Sequence, residues 1–192
     1  YVTGDVKVAA IESVGNTDME DALIKRNIIE YSNDRVTTIG GYAFYYCKSL
    51  TTVNFPVCSY INNHAFYNCT RLTSVSFPKC SYIGSSAFYS CSSLTSVSFP
   101  VCTSIGSNAF GNCSSLTTVN FPACSYIGSY AFNKCYNLTT LILEASIICT
   151  LSNSNAFTST PIGGYSVSAG KYGTIYVPAS LLASYQAATN WA

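Results

Sequence analysis

Apolar residues in this chain recur at a fixed long interval, not at the spacing of one helix or one strand. Phe44, Phe66, Phe88, Phe110 and Phe132 follow one another at a constant step of twenty-two positions, and so do Cys47, Cys69, Cys91, Cys113 and Cys135. Leu50, Leu72, Leu94, Leu116 and Leu138 form a third column, and Ile39, Ile61, Ile83, Ile105 and Ile127 a fourth. A period between about 20 and 50 residues marks stacked repeats and outranks any local assignment. Written once, the unit is C-S-Y-I-G-S-x-A-F-x-x-C-x-x-L-T-x-V-x-F-P-x. In the coil that opens at Cys58 the apolar set is Cys58, Ile61, Ala65, Phe66, Cys69, Leu72, Val75 and Phe77. One coil cannot bury that set alone. Stacked coils can, because each column becomes a continuous row of like side chains.

Within the unit, L-T-x-V-x-F alternates apolar and small polar residues and predicts a strand with Leu72, Val75 and Phe77 inward. Pro56, Pro78, Pro100 and Pro122 lack an amide proton, so each ends its strand. The column after the Ile residues is Gly40, Asn62, Gly84, Gly106, Gly128 and, after a shift, Asn153, which predicts a turn with a left-handed residue. Ser85 to Ser90 has room for one or two helical turns, so a coil is expected to be a short strand, a turn and a short helix or 3-10 piece. The predicted fold is an α/β repeat solenoid in one continuous domain. Residues 1–35 are the N-terminal cap, with a helix over Asp18–Arg26 and a strand near Ile28–Tyr31. Residues 36–157 are the solenoid, and 158–192 the C-terminal cap. Cys149 and Phe157 lie further from Cys124 and Phe132 than the constant step allows, which places three inserted residues between Leu143 and Cys149. A Gly/Ser-rich excursion over 158–173 precedes a last strand, Thr174 to Val177, closed by Pro178. A helix over Ala179–Thr189 should then present Leu181, Leu182 and Tyr185 on one face, with Trp191 covering the end.

Charge narrows the functions. Of 192 residues 48% are hydrophobic and 9% charged, with a net charge of +1. Such a chain has no field to draw in nucleic acid or anionic lipid, and no apolar run nears the roughly 20 residues of a membrane span. The charge sits early: residues 1–35 carry four basic and seven acidic side chains, and residues 36–192 five and one. It begins at Tyr1 without a charged-then-apolar leader, as expected of a mature or trimmed chain.

Ten cysteines would suit a disulfide framework. The columns argue against one. Equivalent residues of parallel coils have Cβ atoms about 4.8 Å apart, against about 3.8 Å in a relaxed disulfide, so the thiols are expected to be reduced, buried and hydrophobic in role. The C-x10-C spacing, with His64 the only imidazole, gives no zinc pattern. His64 itself is expected in an exposed loop. No phosphate-cradling G-x-x-x-x-G-K-[ST] or nucleophile-bearing G-x-S-x-G occurs, and from Val36 onward Glu144 is the single carboxylate. Asp18, Glu20 and Asp21 cluster where a helix would start. An enzyme, a metal and a cofactor are therefore not expected.

The run I-G-x-x-A-F-x-x-C-x-x-L-T-x-V-x-F-P over about residues 36–157 resembles the BspA-like, or Treponema pallidum-type, leucine-rich repeat surface proteins. The segment I-Y-V-P-A-S-L-L-A-S-Y-Q-A-A-T-N-W is similar to cap segments in such proteins. Cys58, Cys80, Cys102 and Cys124 depart from the aliphatic residue commoner at that column. The resemblance implies a curved right-handed leucine-rich repeat superhelix, located on the cell surface or secreted, with members that act as adhesins for host proteins or other cells.

Two surfaces are candidates for binding. Alternation points Thr52, Asn54, Ser74, Ser76, Ser96, Ser98, Thr118 and Asn120 outward, with Thr140 and Ile142, as a flat neutral field on the expected concave face. Tyr45, Tyr67 and Tyr89 follow the repeat Phe, and Tyr60, Tyr82 and Tyr126 precede the Ile, as two aromatic edges. Tyrosine offers large contact area with little entropy to lose. The expected function is a non-enzymatic binding module for a protein or glycan, monomeric, with neither nucleic-acid binding nor membrane insertion. The alternative is a passive structural or spacer segment of a larger surface or phage-like assembly. An ice-binding face is a third reading, which the Thr140/Ile142 pair counts against.

Overall fold

The computed structural model describes residues 13–14, 28–164 and 172–191. The helix expected over Asp18–Arg26 lies outside these residues.

Each coil contributes two strands, one more than expected. Three-residue strands arise where the alternation placed them: β2 (Glu30–Ser32), β4 (Thr52–Asn54), β6 (Ser74–Ser76), β8 (Ser96–Ser98), β10 (Thr118–Asn120), β12 (Thr140–Ile142) and β14 (Thr174–Tyr176). Two-residue strands form at the Ile column: β1 (Ser13–Val14), β3 (Thr38–Ile39), β5 (Tyr60–Ile61), β7 (Tyr82–Ile83), β9 (Ser104–Ile105), β11 (Tyr126–Ile127) and β13 (Thr150–Leu151). The short strands form one parallel sheet in the order β1-β3-β5-β7-β9-β11-β13. The long strands divide into β2-β4-β6 and β14-β12-β10-β8. Partners in the regular coils are one repeat apart, as in Val53 opposite Val75 and Val97 opposite Val119.

The expected rows of like side chains make up the core. Phe44, Phe66, Phe88, Phe110, Phe132 and Phe157 stack with ring centroids 4.9 to 5.4 Å apart. Phe55, Phe77, Phe99 and Phe121 form a second row, 5.4 to 5.9 Å apart, whose rings meet the first at steep angles. Mutually tilted aromatic rows suit the ring quadrupole and fill the volume between the sheets.

The repeated polar residues bind coil to coil. Thr73 donates its backbone N–H (2.9 Å) and its Oγ1 hydroxyl (3.1 Å) to the Thr51 carbonyl, and Thr117 does the same to Thr95 at 2.8 and 2.9 Å. Ser59, Ser81, Thr103 and Ser125 form an equivalent hydroxyl ladder, each reaching the equivalent carbonyl of the preceding coil.

No helix forms between the Ile column and the next Cys in the regular coils, contrary to expectation. Alternate amides there bond to the next coil: Phe66 N–H to Ala87 O at 2.7 Å and Asn68 N–H to Tyr89 O at 2.7 Å. Those between close local turns, as Tyr67 N–H to His64 O at 3.2 Å. Half the donors a helix would use thus serve the stack. The left-handed residues also differ from expectation. In the coils they are Tyr42 and Tyr46, His64 and Asn68, Ser86 and Ser90, Asn108 and Asn112, and Tyr130 and Lys134, with Ser159 and Asn190 in the C-terminal part, whereas Gly164 is the one glycine with positive φ among the described residues. Gly84, Gly106 and Gly128 serve close approach instead: a Cβ on any of them would lie 2.6 Å from backbone atoms of the preceding coil.

The three extra residues near Cys149 are also distributed differently. Thr150 pairs with Tyr126, where the regular step would bring Ile148 there, so two residues enter before β13. Phe132 N–H bonds to Ala156 O, where Phe110 N–H bonds to Ala131 O, so the third enters after it. Ser152, not Asn153, then takes the glycine-column position, and Asn153 caps a 3-10 turn at Ser154–Phe157 through its side chain to Asn155 N–H. The helix expected over Ala179–Thr189 is a 3-10 turn at Ala179–Leu181 followed by a shorter α1 (Leu182–Ala187). Tyr185 is its buried residue, while Leu182 stands exposed. The Tyr185 hydroxyl accepts from Cys149 N–H at 2.8 Å, and Trp191 Nε1–H donates to Cys149 O at 2.7 Å.

Candidate functional site

All ten cysteines are buried and reduced. Cys69, Cys91, Cys113 and Cys135 donate their S–H to the carbonyls of Phe44, Phe66, Phe88 and Phe110, each in the preceding coil, at 3.0 to 3.2 Å. Cys58, Cys80, Cys102 and Cys124 donate to the carbonyl two residues ahead at 3.1 to 3.4 Å. Burial pushes Cys80 and Cys135 up to about 12 and raises Cys58, Cys91, Cys102 and Cys113 as well. Protonated thiols make poor nucleophiles and poor metal ligands. Among the described residues no group of three or more His, Cys, Asp or Glu is placed to hold a metal ion.

The hydroxyl field lies on the outer face of the long strands, as expected, but it is not flat. Thr52, Asn54, Ser74 and Ser76 occupy β4 and β6; Ser96, Ser98, Thr118 and Asn120 occupy β8 and β10, across the break in the sheet. At the break Phe77 and Phe99 spread to 5.9 Å, and Val75 is half-buried where Val53 and Val119 are fully covered. A shallow, open cleft of about 390 Å³ runs from this break across β8, β10 and β12, lined by Val75, Ser96, Ser98, Thr118, Asn120 and Ile142, among others. Asn120 donates its Nδ2 to Ser98 Oγ at 3.4 Å, and its Oδ1 is buried without a partner. Both strands beside the break read S-V-S, so the alternation could not reveal it.

The tyrosines divide into two groups. Tyr60 stacks on Tyr82 at 4.4 Å, but Ser104 stands between Tyr82 and Tyr126 in the sheet, so Tyr126 joins no stack. Tyr45, Tyr67 and Tyr89 form a row with centroids 5.2 and 5.1 Å apart. Three rings absent from the sequence-based candidates extend it: Tyr42 lies 5.3 Å from Tyr45, Tyr46 4.6 Å from Tyr45, and His64 5.6 Å from Tyr67. His64 is half-buried, not exposed; its ring stacks on Tyr42 at 4.8 Å, and its Nδ1 is buried without a partner. Tyr42 and His64 share one column in successive coils, which was the signal available in the sequence. The row stops at Gly111, where a Cβ would strike the Tyr89 ring at 2.8 Å. Lys48 Nζ sits 5.4 Å from the centre of the Tyr46 ring. Tyr42, Tyr45 and Tyr46 are 41 to 46% exposed. Burial first, then neighbouring phenols, raise Tyr45 and Tyr67 above the usual tyrosine value, so both remain hydrogen-bond donors.

The sequence matches the family described as BspA type leucine-rich repeat region in six copies, over residues 25–139 and 59–170. A leucine-rich cell surface protein of Faecalibacterium prausnitzii has a similar structure, with a TM-score of 0.68 and 26% identity over 92% of this chain and 45% of that one. The T. pallidum leucine-rich repeat protein follows with a TM-score of 0.57 and 32% identity, over 60% of this chain and 59% of that one. A leucine-rich repeat protein of Bacteroides ovatus gives 0.52 and 31%, over 65% and 35%. The chain thus spans between about a third and three fifths of these proteins. No curated protein sequence matches it. No helix among the described residues is long and apolar enough to cross a membrane.

Proposed function

Because the chain belongs to the BspA-type leucine-rich repeat family, we propose that it is a non-enzymatic binding module of a bacterial cell-surface or secreted protein, and that it holds a protein partner on its aromatic edge. The observation that carries this reading is the cluster of Tyr42, Tyr45, Tyr46, His64, Tyr67 and Tyr89, six rings in mutual contact on one side of the first coils. Stacking along the axis hides the ring faces of the row and leaves edges and hydroxyls outward. That favours a protein surface, with its mix of apolar atoms and acceptors, over a sugar ring that needs an open aromatic face. Tyr42 and Tyr46 also occupy left-handed backbone positions, which cost a bulky residue more than the Asn108 and Asn68 found in the same two columns of other coils. The fold alone gives no reason to prefer aromatic rings there.

The test is an array of host proteins and glycans probed with the unsubstituted chain and with Tyr45→Ala, Tyr67→Ala and Ser96→Lys. Loss of a ring from the cluster should weaken binding at least tenfold, about 1.4 kcal/mol, with Ser96→Lys neutral. Binding unaffected by either tyrosine change rejects the edge. A second reading, a polar ligand in the long-strand cleft, is favoured by the unpartnered Asn120 Oδ1. It predicts the reverse, loss with Ser96→Lys alone.

A further inference from the structure

We propose that Cys124 and Cys149 form a disulfide when the chain folds under oxidising conditions, and that the other eight cysteines stay reduced. The difference lies in register. Cysteines in the regular columns sit directly opposite one another on parallel coils, with Cα–Cβ bonds that run side by side. Their Cβ atoms are held about 4.8 Å apart by the sheet spacing, about 1 Å too far for a relaxed bridge. Closing that gap would pull two coils together against the Phe row.

Cys149 escapes the constraint. Because Thr150 pairs with Tyr126, the residue opposite Cys124 is Ile148, and Cys149 falls opposite Ser125. Its sulfur still turns into the core, and instead of a backbone carbonyl it meets another sulfur: Cys149 S–H donates to Cys124 Sγ at 3.7 Å. The two residues inserted before β13 supply slack. Glu144, Ser146 and Ile147 stand exposed, so this segment bulges outward and can shorten by the ångström or two that a bond of about 2.05 Å requires. That hydrogen bond, together with burial, raises Cys149 well above the ordinary thiol range. Attack on an oxidant therefore belongs to folding, before the core closes.

The step balances with oxidised glutathione as the oxidant. One cysteine thiolate attacks its S–S bond and releases one glutathione thiol. The second cysteine displaces the other glutathione from the mixed disulfide. Two cysteine protons and two electrons end on two glutathione molecules. The product joins the coil of β11 to the residue that Tyr185 and Trp191 grip through its N–H and carbonyl.

The experiment refolds the full chain with oxidised and reduced glutathione, traps free thiols by alkylation in denaturant, and maps the peptides by mass spectrometry. A reductant-only arm supplies the reference fold. Expected is one Cys124–Cys149 crosslink with the other eight cysteines alkylated, and no crosslink in Cys149→Ala. The map of the unsubstituted chain decides even if that variant folds poorly. Ten alkylated cysteines, or crosslinks spread over column pairs such as Cys91–Cys113, overturn the proposal.

Discussion

Replacing Phe88 with Ala removes the middle of the longer phenylalanine row. Its ring is fully buried, stacked between Phe66 at 5.0 Å and Phe110 at 5.2 Å, with Phe77 and Phe99 at 6.2 and 6.0 Å. Core Phe→Ala changes cost about 3–5 kcal/mol, according to how far the site can collapse. Here it cannot collapse easily, since each flanking ring is held by its own row and by coil-to-coil hydrogen bonds. The expected cost is therefore about 4–5 kcal/mol, a large share of the ~5–15 kcal/mol typical of a folded domain. Phe157 is the control. It ends the row, touching Phe132 at 5.3 Å and Trp191 at 5.9 Å, and the terminal segment can settle into the space, for about 3 kcal/mol. Urea unfolding should be followed by far-UV circular dichroism for the whole stack and by fluorescence of Trp191, the single tryptophan, for the C-terminal end. A weak centre in a nearest-neighbour stack should separate the two transitions in Phe88→Ala. Equal costs at the two sites, or a Phe88→Ala cost below about 1.5 kcal/mol, the range of a lost methyl group, would refute the reasoning.

Two glycine substitutions should differ although the residue change is the same. Gly106→Ala drives a Cβ to 2.6 Å from Ser85 N and should cost about 1–3 kcal/mol, whereas Gly111→Ala meets the Tyr89 ring, which can swing aside, and should be milder by at least about 1 kcal/mol in the same urea assay. Alkali should weaken the fold. The buried thiols and clustered phenols are acids whose folded values lie above the unfolded ones, so their stabilisation is complete below about pH 9 and is lost as pH rises through the folded values, which for Cys80 and Cys135 are about 12. The urea midpoint should fall steadily from pH 9 to 11, and a flat midpoint over that range would contradict it.

What the sequence made legible is whatever repeats along the stack. The Phe, Cys, Leu and Ile columns are rows, the L-T-x-V-x-F strands pair one repeat apart, and the outward residues of those strands lie on one face. What it hid depends on contacts between coils. A strand as short as Tyr60–Ile61 gives alternation nothing to register, and the amides of Phe66 and Asn68 look helical until the next coil claims them. The glycine column reads as a left-handed turn because glycine tolerates both positive φ and a backbone close by; only the neighbouring coil shows that the second reason applies. The aromatic edge was half visible. Tyr45, Tyr67 and Tyr89 share a column, and Tyr42 and His64 share another, but Tyr46 joins them through loop geometry that no periodicity encodes.

The unit spacing of the rows also bears on how such a molecule can change its length. Residues 79–100 could be excised and the cut ends rejoined, and Phe66 would lie over Phe110, Cys69 over Cys113 and Thr73 over Thr117, the same partners at the same heights. A shorter or longer version would keep its interior chemistry and alter its reach. What such an edit could not spare is the Tyr45–Tyr67–Tyr89 row, because each of its rings occurs once and in order, with Gly111 as its end stop.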